Sequence, residues 1–282
     1  MANIVLATSL LWPEPASDAP LRQALAARAH TAVSAPWNGH DQTPFYAADL
    51  VVLRSCWDYF KAPKQFLAWL DQLEQGNVRV RNRLPLVRWN FDKSYLLELS
   101  KAGFYVPKTR VVEPRDHAAI RSIMDQQGWQ KAVRKPTSGQ SGRYVDFLER
   151  ADVALWPQSA MPTAQALLQE FQADAAERGE TLLVFFNGTF SYAIQRLPNS
   201  PAGPDREQVT VPVGIIHQAK EILAFLPEMP LYARVDGLIR GDRFLLMELE
   251  LIEPSFAFEV APGKAMELVL AIEQVLLANS EK

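Results

Sequence analysis

Three carboxylates in the last quarter of the chain carry the clearest chemical signal. They are Asp236 in Tyr232-Ala233-Arg234-Val235-Asp236, and Glu248 with Glu250 in Leu246-Met247-Glu248-Leu249-Glu250-Leu251. Each sits inside an apolar, strand-like run. Side chains of a strand alternate faces, so Glu248 and Glu250 share one face while Leu249 and Leu251 take the other. Whether Asp236 joins the glutamates depends on the turn between the two runs. A two-residue loop sets Asp236 opposite Met247 and sends the glutamates to the other face. A three-residue loop, Gly241-Asp242-Arg243, instead sets Arg240 opposite Phe244, Asp236 opposite Glu248 and Arg234 opposite Glu250, and this is the expected register. Three acidic groups crowded on one face repel one another unless a divalent cation neutralises them. Hard oxygen donors of this kind suit magnesium or manganese bridged to nucleotide phosphates. The competing reading is a solvated strand face with a weak Arg234–Glu250 surface ion pair.

A second constellation is Arg134-Lys135-Pro136-Thr137-Ser138-Gly139-Gln140-Ser141-Gly142, a strand that ends in a lysine and opens into a loop of small residues. Such a loop lets backbone N–H groups approach an anion, and the lysine adds a point charge for phosphate oxygens. The glycine spacing is not that of a Walker loop. Gly/Ser turns after strands are common, so the loop alone carries little weight. Upstream, Arg54, Trp57, Asp58 and Tyr59 follow a buried strand at its carboxyl end, where a binding loop is expected and where a cation, a carboxylate and two aromatics suit an amino acid. The alternative there is an aromatic plug with an Arg54–Asp58 ion pair. Cys56, the single cysteine, reads as a small buried hydrophobe, and the four histidines show neither zinc spacing nor a triad.

The elements that must position these groups alternate in type. Strands at Asn3–Ala7, Leu50–Leu53 and Val78–Arg81 interleave with helices at Leu21–His30 and around Phe66–Leu73, which predicts a small parallel sheet. A helix over Phe91–Ala102 closes this part. Further strands are expected at Thr109–Val112, Ala132–Lys135, Tyr144–Leu148, from Ala166 onward, at Leu182–Phe186, and at Phe190–Gln195 after an Asn187-Gly188 turn. A helix at Asp116–Gln127 and a final helix at Lys264–Ala278 complete an α+β second half. In 282 residues, 48% hydrophobic and 22% charged, there is ample core for two or three small domains. A net charge of -3 gives no reason to expect nucleic acid or an anionic membrane as partner, and no apolar run is long enough for a bilayer span. One cysteine and an N-terminus without signal-peptide features point to the cytoplasm.

In this order the pieces resemble the ATP-grasp superfamily, in its glutathione-synthetase-like branch. The runs Arg54-Ser55-Cys56-Trp57-Asp58-Tyr59, Trp89-Asn90-Phe91-Asp92-Lys93-Ser94-Tyr95-Leu96, Tyr232 to Asp236 and Met247 to Ser255 look like the group that contains the cyclo-ligase of cycloserine biosynthesis. The resemblance implies a mixed α/β and α+β architecture: an N-terminal Rossmann-like domain (1–106), a small central lid (107–170) and a C-terminal domain with the metal site (171–282). It implies ATP with Mg2+ or Mn2+, and an ADP-forming ligase that joins a small-molecule carboxylate to a nitrogen nucleophile through an acyl phosphate, intramolecularly in a cyclo-ligase. Homodimers or homotetramers are common among such enzymes. Under the resemblance Lys135 contacts the α- and β-phosphates, Ser138, Gly139, Ser141 and Gly142 close over them, and Arg115 takes the place of a second lysine. Gln169-Glu170-Phe171 pairs with adenine, Asp174 or Glu177 reaches the ribose, and Asp236, Glu248 and Glu250 hold the metal. Arg234, Arg196 and Arg206 neutralise developing negative charge, while Arg54, Trp57, Asp58, Tyr59, Glu253 and Ser255 face the substrate. The segment Arg196 to Gln208 departs from these relatives. That departure motivates the rival expectation of a nucleotide-binding module that has lost ligase activity.

Overall fold

The computed structural model describes residues 1–139, 144–156, 164–198 and 206–278. Ser141 and Gly142 lie outside the described residues, as does part of the 196–208 segment.

Short β-branched runs build a first, parallel sheet from β1 (Asn3–Thr8), β2 (Thr31–Pro36), β3 (Leu50–Leu53) and β4 (Val80–Arg81), in the order β2-β1-β3-β4. β3 is buried along its whole length, as a Leu-Val-Val-Leu run between two covered faces must be. β2 was not legible: its buried and exposed positions mix at a sheet edge, and the run Thr-Ala-Val-Ser-Ala-Pro has little apolar pattern. A second sheet, antiparallel, holds β5 (Thr109–Val112), β6 (Lys131–Pro136), β7 (Asp146–Glu149) and β8 (Ala166–Glu170) in the order β5-β8-β6-β7. It has its own small core of Val112, Ile120, Met124, Ala132 and Leu168, backed by the helix His117–Gln127 whose first turn Asp116 caps through the Ala119 N–H at 2.9 Å.

The third sheet is antiparallel, ordered β11-β10-β9-β12-β13, from β9 (Glu180–Phe186), β10 (Thr189–Arg196), β11 (Arg206–Val209), β12 (Tyr232–Arg240) and β13 (Arg243–Glu250). One face shares a core with the first sheet: Ile4, Leu6, Leu21 and Leu25 meet Val184, Ile194, Phe256 and Leu268, the last from the helix Lys264–Leu277. The other face packs on the helices Tyr95–Lys101 and Val213–Ala224 through Leu96, Leu99, Leu183, Ile215, Val235 and Leu249. The first and third sheets are therefore cored together, and the second sheet has an apolar cluster of its own while Leu167 of β8 joins the third sheet's core.

Two sequence expectations are corrected here. The helix predicted over Phe91–Ala102 is instead two helices, Leu84–Phe91 and Tyr95–Lys101, broken at Asp92-Lys93-Ser94. The Asp92 carboxylate accepts from the Ser94 N–H at 2.8 Å, the local side-chain turn with which aspartate competes against helix. In the last hairpin the register has Asp236 opposite Glu248 and Arg234 opposite Glu250, as expected, but the turn has two residues, with Arg240 opposite Arg243 and Ile239 opposite Phe244. A β-bulge between Asp236 and Gly237 absorbs the extra residue and returns the carboxylates to one face. Gly237 is required there, because a Cβ would lie 2.3 Å from the Leu245 carbonyl oxygen.

The outer edge of β13 is held by side chains. Asn90 donates to the Leu249 carbonyl at 2.8 Å and accepts from the Leu251 N–H at 2.9 Å, while the Tyr95 hydroxyl donates to the Leu249 carbonyl at 3.0 Å and accepts from its N–H at 2.9 Å. Asn90→Ala strands the Leu251 N–H and removes one of the two donors to the Leu249 carbonyl, and is expected to cost about 2 kcal/mol of unfolding free energy, measured by urea titration. A loss within experimental error of zero contradicts the bracket.

Candidate active site

A cavity of about 1260 Å3 opens among the three sheets. One end is an apolar slot with Val133, Phe147, Phe171 and Met247 on its walls, and the β8-derived linker Glu170-Phe171-Gln172 runs along it. Phe147 and Phe171 meet edge to face, their centroids 5.9 Å apart. Such a slot accepts a flat base. The other end is lined by Trp12, Trp57, Arg206, Glu253, Ser255 and Glu259.

Between the ends stand two lysines and two glutamates. Lys135 emerges from the end of β6, and Lys93 projects from the break between the two helices. The Lys93 N–H donates to the Thr137 carbonyl at 2.7 Å, which ties the helix break to the start of the small-residue loop. Its ammonium lies 2.6 Å from Glu248 Oε1. Burial pushes the Lys135 ammonium down, the neighbouring Lys93 charge lowers it further, and it reaches about 8. Burial alone raises Glu248, but Lys93 and Lys135 override it and hold that carboxyl at about 2. Glu250 moves the opposite way, to about 7: burial and the Asp236 and Glu248 charges outweigh the attraction of Arg234. The site therefore holds unbalanced negative charge beside Glu250 and a cationic pair facing the cavity.

Arg234 organises the carboxylates. It donates through Nε to Asp236 Oδ1 at 2.8 Å and through a terminal nitrogen to Oδ2 at 2.8 Å, reaches Glu250 at 2.6 Å, and caps the Ser255 carbonyl at 2.9 Å. Asp236 is fully buried behind it. Hence the expected three-carboxylate cage is not formed: among the described residues no three His, Cys, Asp or Glu side chains gather as a metal site. The reason is Arg234, which takes both Asp236 oxygens. Glu248 and Glu250 do line the cavity. Magnesium typically takes one or two carboxylates and completes its shell with phosphate oxygens and water, so this pair fits such an ion.

Of the remaining sequence expectations, Gln169, Glu170 and Phe171 line the cavity at its apolar slot, and Gly139 lines it near Lys135. Ser138 is buried, and its hydroxyl has no partner among the described residues. Arg196 lines the cavity paired with Glu180, and Arg206 donates to the Ser255 hydroxyl at 3.1 Å. Glu253 and Ser255 line the substrate end, and burial raises the Glu253 carboxyl well above its usual range. Trp57 lines it too, its indole N–H donating to the Glu253 carbonyl at 3.2 Å.

Others sit elsewhere. Arg115 is exposed and off the cavity wall, whereas Lys93 stands on it beside Lys135. Asp174 is bound by Arg240 at 2.5 Å and Glu177 is exposed, so neither lines the slot. Arg54 is buried against Asp18 at 3.0 Å, its guanidinium over the Phe256 ring at 4.4 Å, and it caps the Pro254 carbonyl: it joins domains rather than binding substrate. Asp58 accepts from Trp37 at 2.8 Å and from Asn38 at 3.1 Å, a structural role. Tyr59 stacks on Phe66 and borders only a separate cavity of about 20 Å3 beneath Glu248. Lys93 was missed because its run reads as unbroken helix; the signal was Asp92-Lys93-Ser94 itself.

The described helices include none long and apolar enough to cross a membrane. Residues 4–82 match the N-terminal domain family of D-cycloserine synthetase DcsG. Over 255 residues the chain is 28% identical to the cycloserine biosynthesis protein DcsG of Streptomyces lavendulae, covering 81% of this chain and 83% of that one. The crystal structure of D-cycloserine synthetase DcsG superposes with a TM-score of 0.85 at 26% identity, covering 97% of this chain and 99% of that one. The ATP-grasp ligase PsnB, in complex with a precursor variant, Mg and ADP, shares the fold with a TM-score of 0.65 at 19% identity over 99% of each chain. The chain has the ATP-grasp fold and is an enzyme of carbon–nitrogen bond formation, similar to cycloserine synthetase along most of its length.

Proposed function

We propose that the protein is an ADP-forming carboxylate–amine ligase that activates an amino-acid-like acid as its acyl phosphate. The observation that carries this reading is the meeting of Lys93, Lys135, Glu248 and Glu250 on the wall between a base-shaped slot and a polar, aromatic-lined chamber. With ATP in the slot, Lys93 and Lys135 bind its phosphate oxygens, and the γ-phosphoryl group faces the chamber. Glu248 and Glu250 would hold a magnesium ion, with manganese as an alternative, which would supply charge neutralisation for phosphoryl transfer. The carboxylate oxygen takes the phosphoryl group and ADP departs; a nitrogen lone pair then attacks the acyl carbon, phosphate leaves, and the nitrogen loses a proton. Arg234, held by Asp236, aims charge at the tetrahedral oxyanion, and Arg206 and Arg196 neutralise charge nearby. Trp57 and Trp12, edge to face at 5.6 Å, bound the chamber on its outer side and keep water from the mixed anhydride. Ring closure within one substrate, as in a cyclo-ligase, places acid and nitrogen in the same molecule.

The test is ADP and phosphate release with magnesium across a panel of amino acids, dipeptides and ureido acids. Release with at least one of them is expected; none with any, despite ATP binding, favours a nucleotide-binding module instead.

The Lys135 ammonium gives a pH signature. A phosphate binds the protonated form, which predominates at about pH 7 and is lost as pH rises through about 8. ATP affinity is therefore expected to fall about tenfold between about pH 7 and about pH 9, with proton uptake on binding at the upper end. Calorimetry in buffers of different ionisation enthalpy measures both, and affinity that rises with pH contradicts the assignment.

A further inference from the structure

The linker that borders the slot is tied by backbone bonds from Glu170 and Phe171 to neighbouring segments, and its side chains Gln172 and Asp174 are gripped from outside by one arginine. Arg240, at the end of β12, donates from Nε to Asp174 Oδ2 at 2.7 Å and from a terminal nitrogen to Oδ1 at 2.5 Å. The same nitrogen donates to Gln172 Oε1 at 2.7 Å, and the other reaches the Tyr105 hydroxyl at 3.2 Å. Exposed ion pairs are usually weak, but a planar two-point contact extended by two further hydrogen bonds is the geometry in which they are not. Tyr105 is itself placed by its backbone, whose carbonyl accepts from the Leu246 N–H at 2.9 Å, so the clamp is anchored on the hairpin that carries Glu248 and Glu250.

Its consequence lies in Gln172. An arginine can only donate, so its bond to Gln172 Oε1 settles which way that amide faces. The Gln172 Nε2 group then points to the Glu170 carbonyl and donates to it at 2.8 Å. Glu170 and Gln172 both line the slot. A carbonyl has two lone pairs; Gln172 fills one and holds the peptide plane, which leaves the other for a donor on the base edge. An exocyclic amine such as adenine's satisfies that acceptor. The carbonyl at the same place on guanine meets it lone pair to lone pair, leaving both groups unpaired, and a buried unpaired acceptor is the more costly outcome.

We propose that Arg240, acting through Gln172 and Asp174, is a positioning residue that sets purine selectivity by fixing the linker carbonyl. The inference rests on the nucleotide reading of the cavity. It does not involve the phosphate end, where Lys93 and Lys135 act.

The test titrates wild type, Arg240→Ala, Arg240→Lys and Asp174→Asn with MgATP, MgGTP and magnesium tripolyphosphate, which has phosphates and no base. Arg240→Ala is expected to weaken ATP about tenfold, the scale of one charge-assisted contact, and to narrow the ATP/GTP ratio by a similar factor, with tripolyphosphate unchanged. Arg240→Lys, which keeps charge without the fork, falls between, and Asp174→Asn follows Arg240→Ala in direction. If Arg240→Ala loses ATP and tripolyphosphate together, the clamp is merely structural and the inference is overturned. An ATP affinity and selectivity within twofold of wild type overturns it as well. Wild type that binds neither nucleotide overturns the nucleotide reading and this inference with it, whereas wild type that binds ATP beside an unaltered variant overturns this inference alone.

Discussion

Lys93→Ala is expected to lower kcat/KM by about a thousandfold, about 4 kcal/mol of transition-state stabilisation. Two effects add. The phosphate oxygens lose a cation that stands on the cavity wall beside Lys135. Glu248 loses the ammonium at 2.6 Å that does most to hold its carboxyl at about 2, so part of the metal-binding charge is lost as well. Removing one member of a partly buried pair also tests folding, because the partner is left uncompensated. Lys93→Arg separates the two effects: it keeps the positive charge for Glu248 and for phosphate but changes the point of contact, and it is expected to recover stability more fully than turnover. Steady-state kinetics beside urea unfolding of both variants gives the answer. Near-wild-type turnover in Lys93→Ala removes Lys93 from the site.

The second large effect belongs to Glu248→Gln. Turnover is expected to fall about a thousandfold while ATP affinity measured without magnesium changes little, because the amide keeps the shape and loses the charge. The magnesium dependence of nucleotide binding should move to higher concentration. Asp236→Asn provides the contrast. Asp236 is buried behind Arg234 and away from the cavity wall, so its loss should act through the guanidinium, with the magnesium titration left near its wild-type position. If Asp236→Asn and Glu248→Gln shift the magnesium curve equally, the three-carboxylate site expected from sequence is restored.

Much of the framework was legible because local pattern and tertiary environment agree. β3 and β5 fall where their short apolar runs end, and Glu248 and Glu250 share a face because alternation leaves no other choice. The hairpin register came out as expected through a different device, since a bulge at Asp236/Gly237 cannot be told from a longer turn in one sequence. Charge partners were the unreadable part. Arg54 seemed free to bind substrate because Asp18 lies 36 positions away, and Asp58 looked available because its donors, Trp37 and Asn38, come from a loop with no motif. Asp174 was misplaced for the same reason, Arg240 being 66 residues downstream. Lys93 was hidden by periodicity that continues across a helix break made by Asp92.

Transfer of an oxygen atom decides whether an acyl phosphate forms. The substrate panel is offered with heavy-oxygen-labelled carboxyl groups, and the inorganic phosphate released with ADP is analysed by mass spectrometry. One labelled oxygen per phosphate is expected, because the carboxylate oxygen that accepts the phosphoryl group leaves with it when nitrogen attacks. Phosphate that carries only solvent or ATP oxygen, released at the same rate as a carbon–nitrogen product, contradicts this chemistry.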